Sequence, residues 1–220
     1  TDQMLDSPTN NFCTLNPLNK ASGVTLLEGN LKATGTSHHT CFGTQSISSG
    51  MKVYAEFLTL GTQGMLGVTF DDIPTTAYTA ATWEAAIYDS SARFDMYSQD
   101  ANPIYYSASS PAMAAGKIWA VCVDYDTGKV WFGQDINSDG SLQWFYPVAQ
   151  TTLGTDGSPT NGTNPSATIP SMLDDLHFMA SGMGGLVSNF GQDSSFAGNK
   201  TSQGNADGNG IGDFYYTPPT

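Results

Sequence analysis

Residues 116–133 read GKIWAVCVDYDTGKVWFG. From Ile118 to Tyr125 both alternating faces are apolar, a pattern that suits a strand covered on both sides. Asp126, Thr127 and Gly128 break the run with turn formers, and glycine supplies positive φ without a Cβ clash. Lys129, Val130, Trp131, Phe132 and Gly133 then lead back. The stretch predicts an antiparallel hairpin with its first strand buried inside a layered β protein.

Working outward, strand-like runs recur at 24–28, 31–34, 40–47, 52–60, 65–70, 93–97, 104–107, 117–125, 130–134, 142–145, 176–181 and 185–190. In the fourth of these Val53, Ala55, Phe57 and Thr59 share one face. Short strands divided by Gly, Asn, Asp and Ser turns point to an all-β sandwich or barrel. Residues 1–22 are rich in Asn, Pro and Ser and predict an extended arm held by Leu5, Phe12, Leu15 and Leu18. Residues 23–220 then form a single domain. The Ala-rich run 75–87 predicts a short helix capped by Thr79 or Thr82. Two polar stretches, 151–166 and 193–212, are too hydrophilic for strands and predict long loops, the second anchored by Phe196 and Ile211. Gly182, Met183, Gly184 and Gly185 read as a tight bend rather than a phosphate cradle, since no G-K-[ST] follows.

The composition excludes several classes. The chain has 220 residues, with 7 Lys plus Arg against 20 Asp plus Glu, a formal charge of −13. No apolar run approaches the roughly 18–20 residues of a membrane-spanning helix. Aromatic residues make up 11% of the chain, too many for a disordered one. With Arg93 as its sole arginine and a field that repels phosphates, the chain is not a nucleic-acid binder. The first residue is Thr1 and the last residues are FYYTPPT, and both ends are expected to be cuts in a longer chain.

Few residues suggest chemistry. Cys13, Cys41 and Cys122 are widely spaced and form no CxxC pair; Cys122 reads as a small buried hydrophobe, and a Cys13–Cys41 disulfide stays open. A glycosidase needs two facing carboxyls. The acidic pairs to consider are Asp124/Asp126 and Asp135/Asp139, and both also read as turn residues. The histidines are His38, His39 and His177, with no G-x-S-x-G elbow to present a nucleophile. His38 and His39, adjacent in a polar stretch, read as a solvated or interface pair, and His177 as a satisfied strand residue. Asp135, Asn137 and Asp139, followed by Gly140, match D-x-N-x-D-G, the start of a calcium loop. Tyr146 stands where the bidentate Glu would be, so the alternatives are a reduced calcium site or a hairpin tip closed by Asx turns. Residues 205–210 (NADGNG) are a weaker version. The sequons at Asn161 and Asn199 lie in the predicted loops and would matter only in a glycosylating compartment.

The segments NNFCTLNPL (10–18), GKIWAVCVDYDTGKVWFG (116–133), VSNFGQDSSFAG (187–198) and NGIGDFYYTPP (209–219) together resemble SPRY-like domains of tailed-phage virion proteins, of the marine phage type. The resemblance spans almost the whole chain. It implies a concanavalin-A-like antiparallel two-sheet β-sandwich, a SPRY jelly roll with long loops. It also implies a non-enzymatic binding or structural module of a tail fibre, spike or capsid-associated protein, on the virion surface or otherwise extracellular. The expected ligand is a host cell-surface glycan or protein. The alternative is a structural subunit that self-associates as an oligomer through arm and loops; a polysaccharide hydrolase on the same sandwich is a third option. Aromatic residues suited to sugar stacking are Trp83, Tyr105, Tyr106 and Trp144, with Tyr215 and Tyr216, although each could equally serve core or edge packing. No cofactor other than calcium is expected.

Overall fold

The computed structural model describes residues 11–70, 84–89, 94–98, 103–107, 111–170 and 174–220. In chain order the strands are β1 (Leu15–Lys20), β2 (Val24–Leu27), β3 (Lys32–Gly35), β4 (Thr40–Ile47), β5 (Lys52–Thr59), β6 (Gly64–Phe70), β7 (Ala85–Asp89) and β8 (Phe94–Ser98). They continue as β9 (Tyr105–Ser107), β10 (Ile118–Asp124), β11 (Lys129–Gln134), β12 (Gln143–Ala149), β13 (Thr152–Gly154), β14 (Ala167–Thr168), β15 (Leu176–Ser181) and β16 (Leu186–Asn189). Among the described residues there is no helix.

Two sheets form. One runs β1-β4-β15-β6-β7-β8-β9, the other β13-β12-β11-β10-β5-β16-β3-β2, with β14 added beside β11. Their ladders are antiparallel throughout. The predicted hairpin is β10–β11, with Val123 opposite Val130 and Trp119 opposite Gln134. On its other edge β10 pairs with β5, so it is an inner strand.

Alternation explains the core. Trp119, Val121 and Val123 of β10 point between the sheets with Ala55 and Phe57 of β5 and Val130 and Phe132 of β11. Phe94 and Phe178 meet them from the other sheet. Trp119 stacks on Phe94 at 5.4 Å and 9°. Burial of this kind contributes roughly 1.5–3 kcal/mol per large side chain.

The all-β, two-sheet antiparallel sandwich matches the expected class, and three local expectations change. Residues 85–87, read as the end of a helix, lie in β7 between β6 and β8. Their alanines serve close packing rather than helix propensity: a Cβ on Gly67 of β6 would fall 2.2 Å from the carbonyl oxygen of Ala85. The rest of that predicted helix, Trp83 included, lies outside the described residues. Residues 15–20, assigned to the arm, form an edge strand on β4. Leu15 anchors it at 0% exposure, but Leu18 is 95% exposed and anchors nothing; Leu5 lies outside the described residues. Polar composition hid β13, which pairs with β12 inside the predicted loop 151–166. Cys13, Cys41 and Cys122 are free and buried, so Cys13 and Cys41 do not pair. Burial pushes the Cys41 and Cys122 thiols up to about 12, which leaves them unreactive at neutral pH.

Candidate functional site

The second sheet has a second buried face. Alternation turns Tyr54, Glu56 and Leu58 of β5, Ile118 of β10, and Val187 and Asn189 of β16 away from the inter-sheet core. Residues 190–220 cross this face without forming a strand. Leu58, Ile118 and Val187 pack there with Phe196, and Tyr215 and Tyr216 lie against them.

Local chemistry shapes this covering segment. The Asn189 side-chain oxygen accepts the N–H groups of Gly191 (2.9 Å) and Asp193 (3.1 Å). Gly191 has φ +109° and sits against Phe12 and Phe214, so only glycine fits. Gln192 accepts from Phe190 N–H at 2.7 Å and donates to the Cys13 carbonyl at 2.8 Å. The Asp213 carboxylate accepts from Ser194, Ser202 and the Gly204 N–H. Asn205 and Phe214 exchange backbone bonds of 3.0 and 2.7 Å. A long polar loop is thereby held to one path by its own side chains. Of its two expected anchors Phe196 is fully buried, whereas Ile211 is 39% exposed.

Glu56 fastens the end of this segment. It is 0% exposed, and its carboxylate accepts four hydrogen bonds. Tyr54 O–H (2.9 Å) and Tyr216 N–H (2.8 Å) reach Oε1. Asn189 Nδ2 (3.1 Å) and Tyr215 N–H (2.8 Å) reach Oε2. Burial pushes its carboxyl up to about 7, against the opposing pull of the four donors. Two consecutive backbone amides on one carboxylate set the orientation of the Tyr215–Tyr216 pair, whose rings meet edge to face at 5.0 Å.

Beside those rings opens a polar cleft of about 580 Å³, lined among others by Lys117, Asp135, Lys200, Gln203, Asn205, Tyr215 and Tyr216. That volume suits a small ligand or a few sugar units. Burial and the charges of Asp135 and Asp139 hold the Tyr216 phenol well above its usual range, so it stays protonated and able to donate. Among the described residues neither the Tyr215 nor the Tyr216 hydroxyl has a protein hydrogen-bond partner.

The residues singled out in the sequence disperse around the fold. Tyr105 is buried at 4% exposure and packs on Phe94 at 6.3 Å, so it belongs to the core. Tyr106 is half-buried beside β12, its N–H donating to the Gln150 carbonyl at 2.8 Å. Trp144 covers Gly133 and meets Tyr54 edge to face at 6.4 Å. It borders a separate, smaller groove near Thr217–Thr220. Of the aromatic candidates Tyr215 and Tyr216 share the polar cleft, which Asp135 of the calcium-loop candidate also lines. Both Asp135 carboxylate oxygens accept N–H groups of their own loop, from Asp139 (3.1 Å) and Gly140 (2.9 Å), while Asp139 accepts from Ser141 at 2.9 Å. Asn137 is exposed at the tip. Among the described residues no three His, Cys, Asp or Glu side chains gather as for a metal ion. Asp124 pairs with Lys52 at 3.3 Å. Asp126 instead caps the β4–β5 turn, accepting from Ser49 O–H and Gly50 N–H at 3.0 Å each, which hold its carboxyl below the usual range. His38 and His39 are both half-buried. His38 packs edge to face on Tyr88 at 4.8 Å, and His39 Nδ1 is buried. His177 Nδ1 lies 3.2 Å from the Gly43 carbonyl oxygen. Glu56, Lys117 and Gln203 carried no motif, and Lys200 and Asn205 drew notice only through the Asn199 sequon and the 205–210 segment. The one available signal was a glutamate facing outward from a strand whose neighbours are Tyr, Phe and Leu.

Two solved structures share this arrangement of sheets. The TRIM65 PSpry domain superposes with a TM-score of 0.53 at 10% identity, over 81% of this chain and 90% of its own. The fold is SPRY-like. Stonustoxin matches the SPRY-like sandwich with a TM-score of 0.53 at 18% identity, over 80% of this chain and 26% of its own. No protein-family model matches the sequence, and no curated protein matches it.

Proposed function

We propose that this SPRY-like domain is a non-enzymatic binding module of a virion surface protein, in a tail fibre, spike or capsid-associated position, and that its polar cleft holds a host cell-surface glycan. The observation that carries this is the Tyr215–Tyr216 pair. Their backbone amides are held on Glu56, their rings pack edge to face, and their hydroxyls are left for a ligand. Aromatic rings beside amide side chains, here Gln203 and Asn205, suit sugars, which present apolar C–H faces and equatorial hydroxyls together. The virion setting is supported by the sequence resemblance. A glycan array probed with the intact chain is expected to give hits that Tyr216→Ala weakens at least about tenfold. An array without hits, or hits indifferent to Tyr216→Ala, would refute the assignment.

Self-association is the second function we consider, favoured by Leu18 standing 95% exposed on edge strand β1 and Val148 59% exposed on β12. Light scattering of the wild type against Leu18→Asp measures it. An oligomer that the substitution dissociates supports assembly through this edge, and a monomer at all concentrations counts against it.

A further inference from the structure

The cleft's charges are arranged for more than a neutral sugar. The chain has 7 Lys plus Arg in 220 residues, and two of them, Lys117 and Lys200, line this one cleft. Lys200 Nζ donates to the Gly116 carbonyl at 2.7 Å, and Lys117 Nζ reaches the Asp135 carbonyl at 3.5 Å. One ammonium group is thereby held on the Gly116 carbonyl and the other near the Asp135 carbonyl. Each keeps further N–H bonds to give, because an ammonium has three donors.

Among the described residues neither lysine lies within ion-pair distance of a carboxylate. Among the described residues the ion pair formed is Lys52 with Asp124, elsewhere on the sheet. The nearby acids are committed to other donors. Asp135 holds two amides of its own loop. Asp213 holds Ser194, Ser202 and the Gly204 N–H. In a chain of formal charge −13, two lysines without a carboxylate at ion-pair distance line this cleft together with the buried Asp135 carboxylate and two phenol hydroxyls.

We infer that the glycan bound in this cleft is acidic, carrying a carboxylate or sulfate ester that Lys117 and Lys200 hold while Tyr215 and Tyr216 contact the sugar. This rests on the glycan-binding function proposed above and narrows its ligand. Charge-assisted bonds to an anionic group are stronger than neutral ones and give a salt-dependent affinity.

The test uses matched probes on the intact chain: dextran, dextran sulfate and oligogalacturonate, titrated calorimetrically at low and moderate salt. Dextran sulfate, oligogalacturonate or both are expected to bind at least about tenfold tighter than dextran, and which of them does so tells sulfate from carboxylate. Lys117→Ala with Lys200→Ala is expected to remove that preference and its salt dependence. Lys32→Ala with Lys52→Ala, an equal loss of charge elsewhere, is expected to keep both. Dextran binding as tightly as the two acidic probes, in a way that Tyr216→Ala abolishes, overturns the acidic ligand and leaves glycan binding standing. Equal loss in the two double variants also overturns it, since attraction would then be diffuse. No binding to any probe or array glycan overturns both proposals together.

Discussion

Glu56→Ala is expected to lower the unfolding free energy by about 4 kcal/mol at neutral pH, a fall in Tm of roughly 8–16 °C for a chain of this size. The substitution orphans Tyr54 O–H and the N–H groups of Tyr215 and Tyr216, and leaves Asn189 Nδ2 with its bond to the Asp213 carbonyl alone, all beneath the covering segment. Each unpaired buried donor costs about 1–3 kcal/mol, offset in part by water entering the vacated space. Denaturant titration measures the loss. Limited proteolysis locates it, because cleavage should begin within residues 193–216 before the sheets open. A variant with wild-type stability would show that the segment docks without its carboxylate.

The same residue gives stability a defined pH dependence. Burial raises the Glu56 carboxyl from the usual 4.5 up to about 7. Between those values the folded chain keeps a proton that the unfolded chain has released, so its contribution falls as pH rises. That contribution is complete below about 4.5, is lost by about pH 7, and amounts to roughly 3 kcal/mol. Subtracting the stability of Glu56→Gln from that of the wild type at each pH isolates it. The difference should shrink from pH 4.5 to 7 and level off above. A flat difference would mean that the four donors keep Glu56 ionised throughout.

Trp119→Ala should cost as much, about 3–5 kcal/mol, for a different reason. Trp119 is 0% exposed, stacked on Phe94 and packed on Phe145 at 5.6 Å. Removing the indole opens a cavity at the centre of the sandwich, where two sheets limit how far neighbours can relax. Trp119→Phe should cost only about 1 kcal/mol, because it also sheds the buried Nε1–H, which has no hydrogen-bond partner. Thermal denaturation of the two variants separates volume from polarity. Equal losses would show that the indole N–H contributes to stability.

Most of the sandwich could be read from alternation. The run from Ile118 to Gly133 identified an inner strand and its hairpin, and β4 and β15 matched their predicted bounds of 40–47 and 176–181. The strands that escaped notice have weak local signals. Asn, Pro and Lys dominate β1, which owes its place to β4. Alanines in β7 mimic a helix because they solve a packing problem with Gly67, 18 residues and more away in sequence. The polar cleft was less legible. Tyr215 and Tyr216 were recognised as stacking candidates, but Lys117, Gln203 and Glu56 join them only through contacts distant in the chain. Periodicity reports which face a residue shares with its near neighbours, and it carries no information about a coil that returns over the sheet.

That returning coil also orders events during synthesis. Glu56 receives its backbone donors from residues 159 and 160 positions later. Every described strand has left the ribosome before those donors emerge. A nascent chain can therefore complete both sheets while the Tyr215–Tyr216 wall of the cleft is still missing, and that wall is placed last, when the two amides reach their carboxylate.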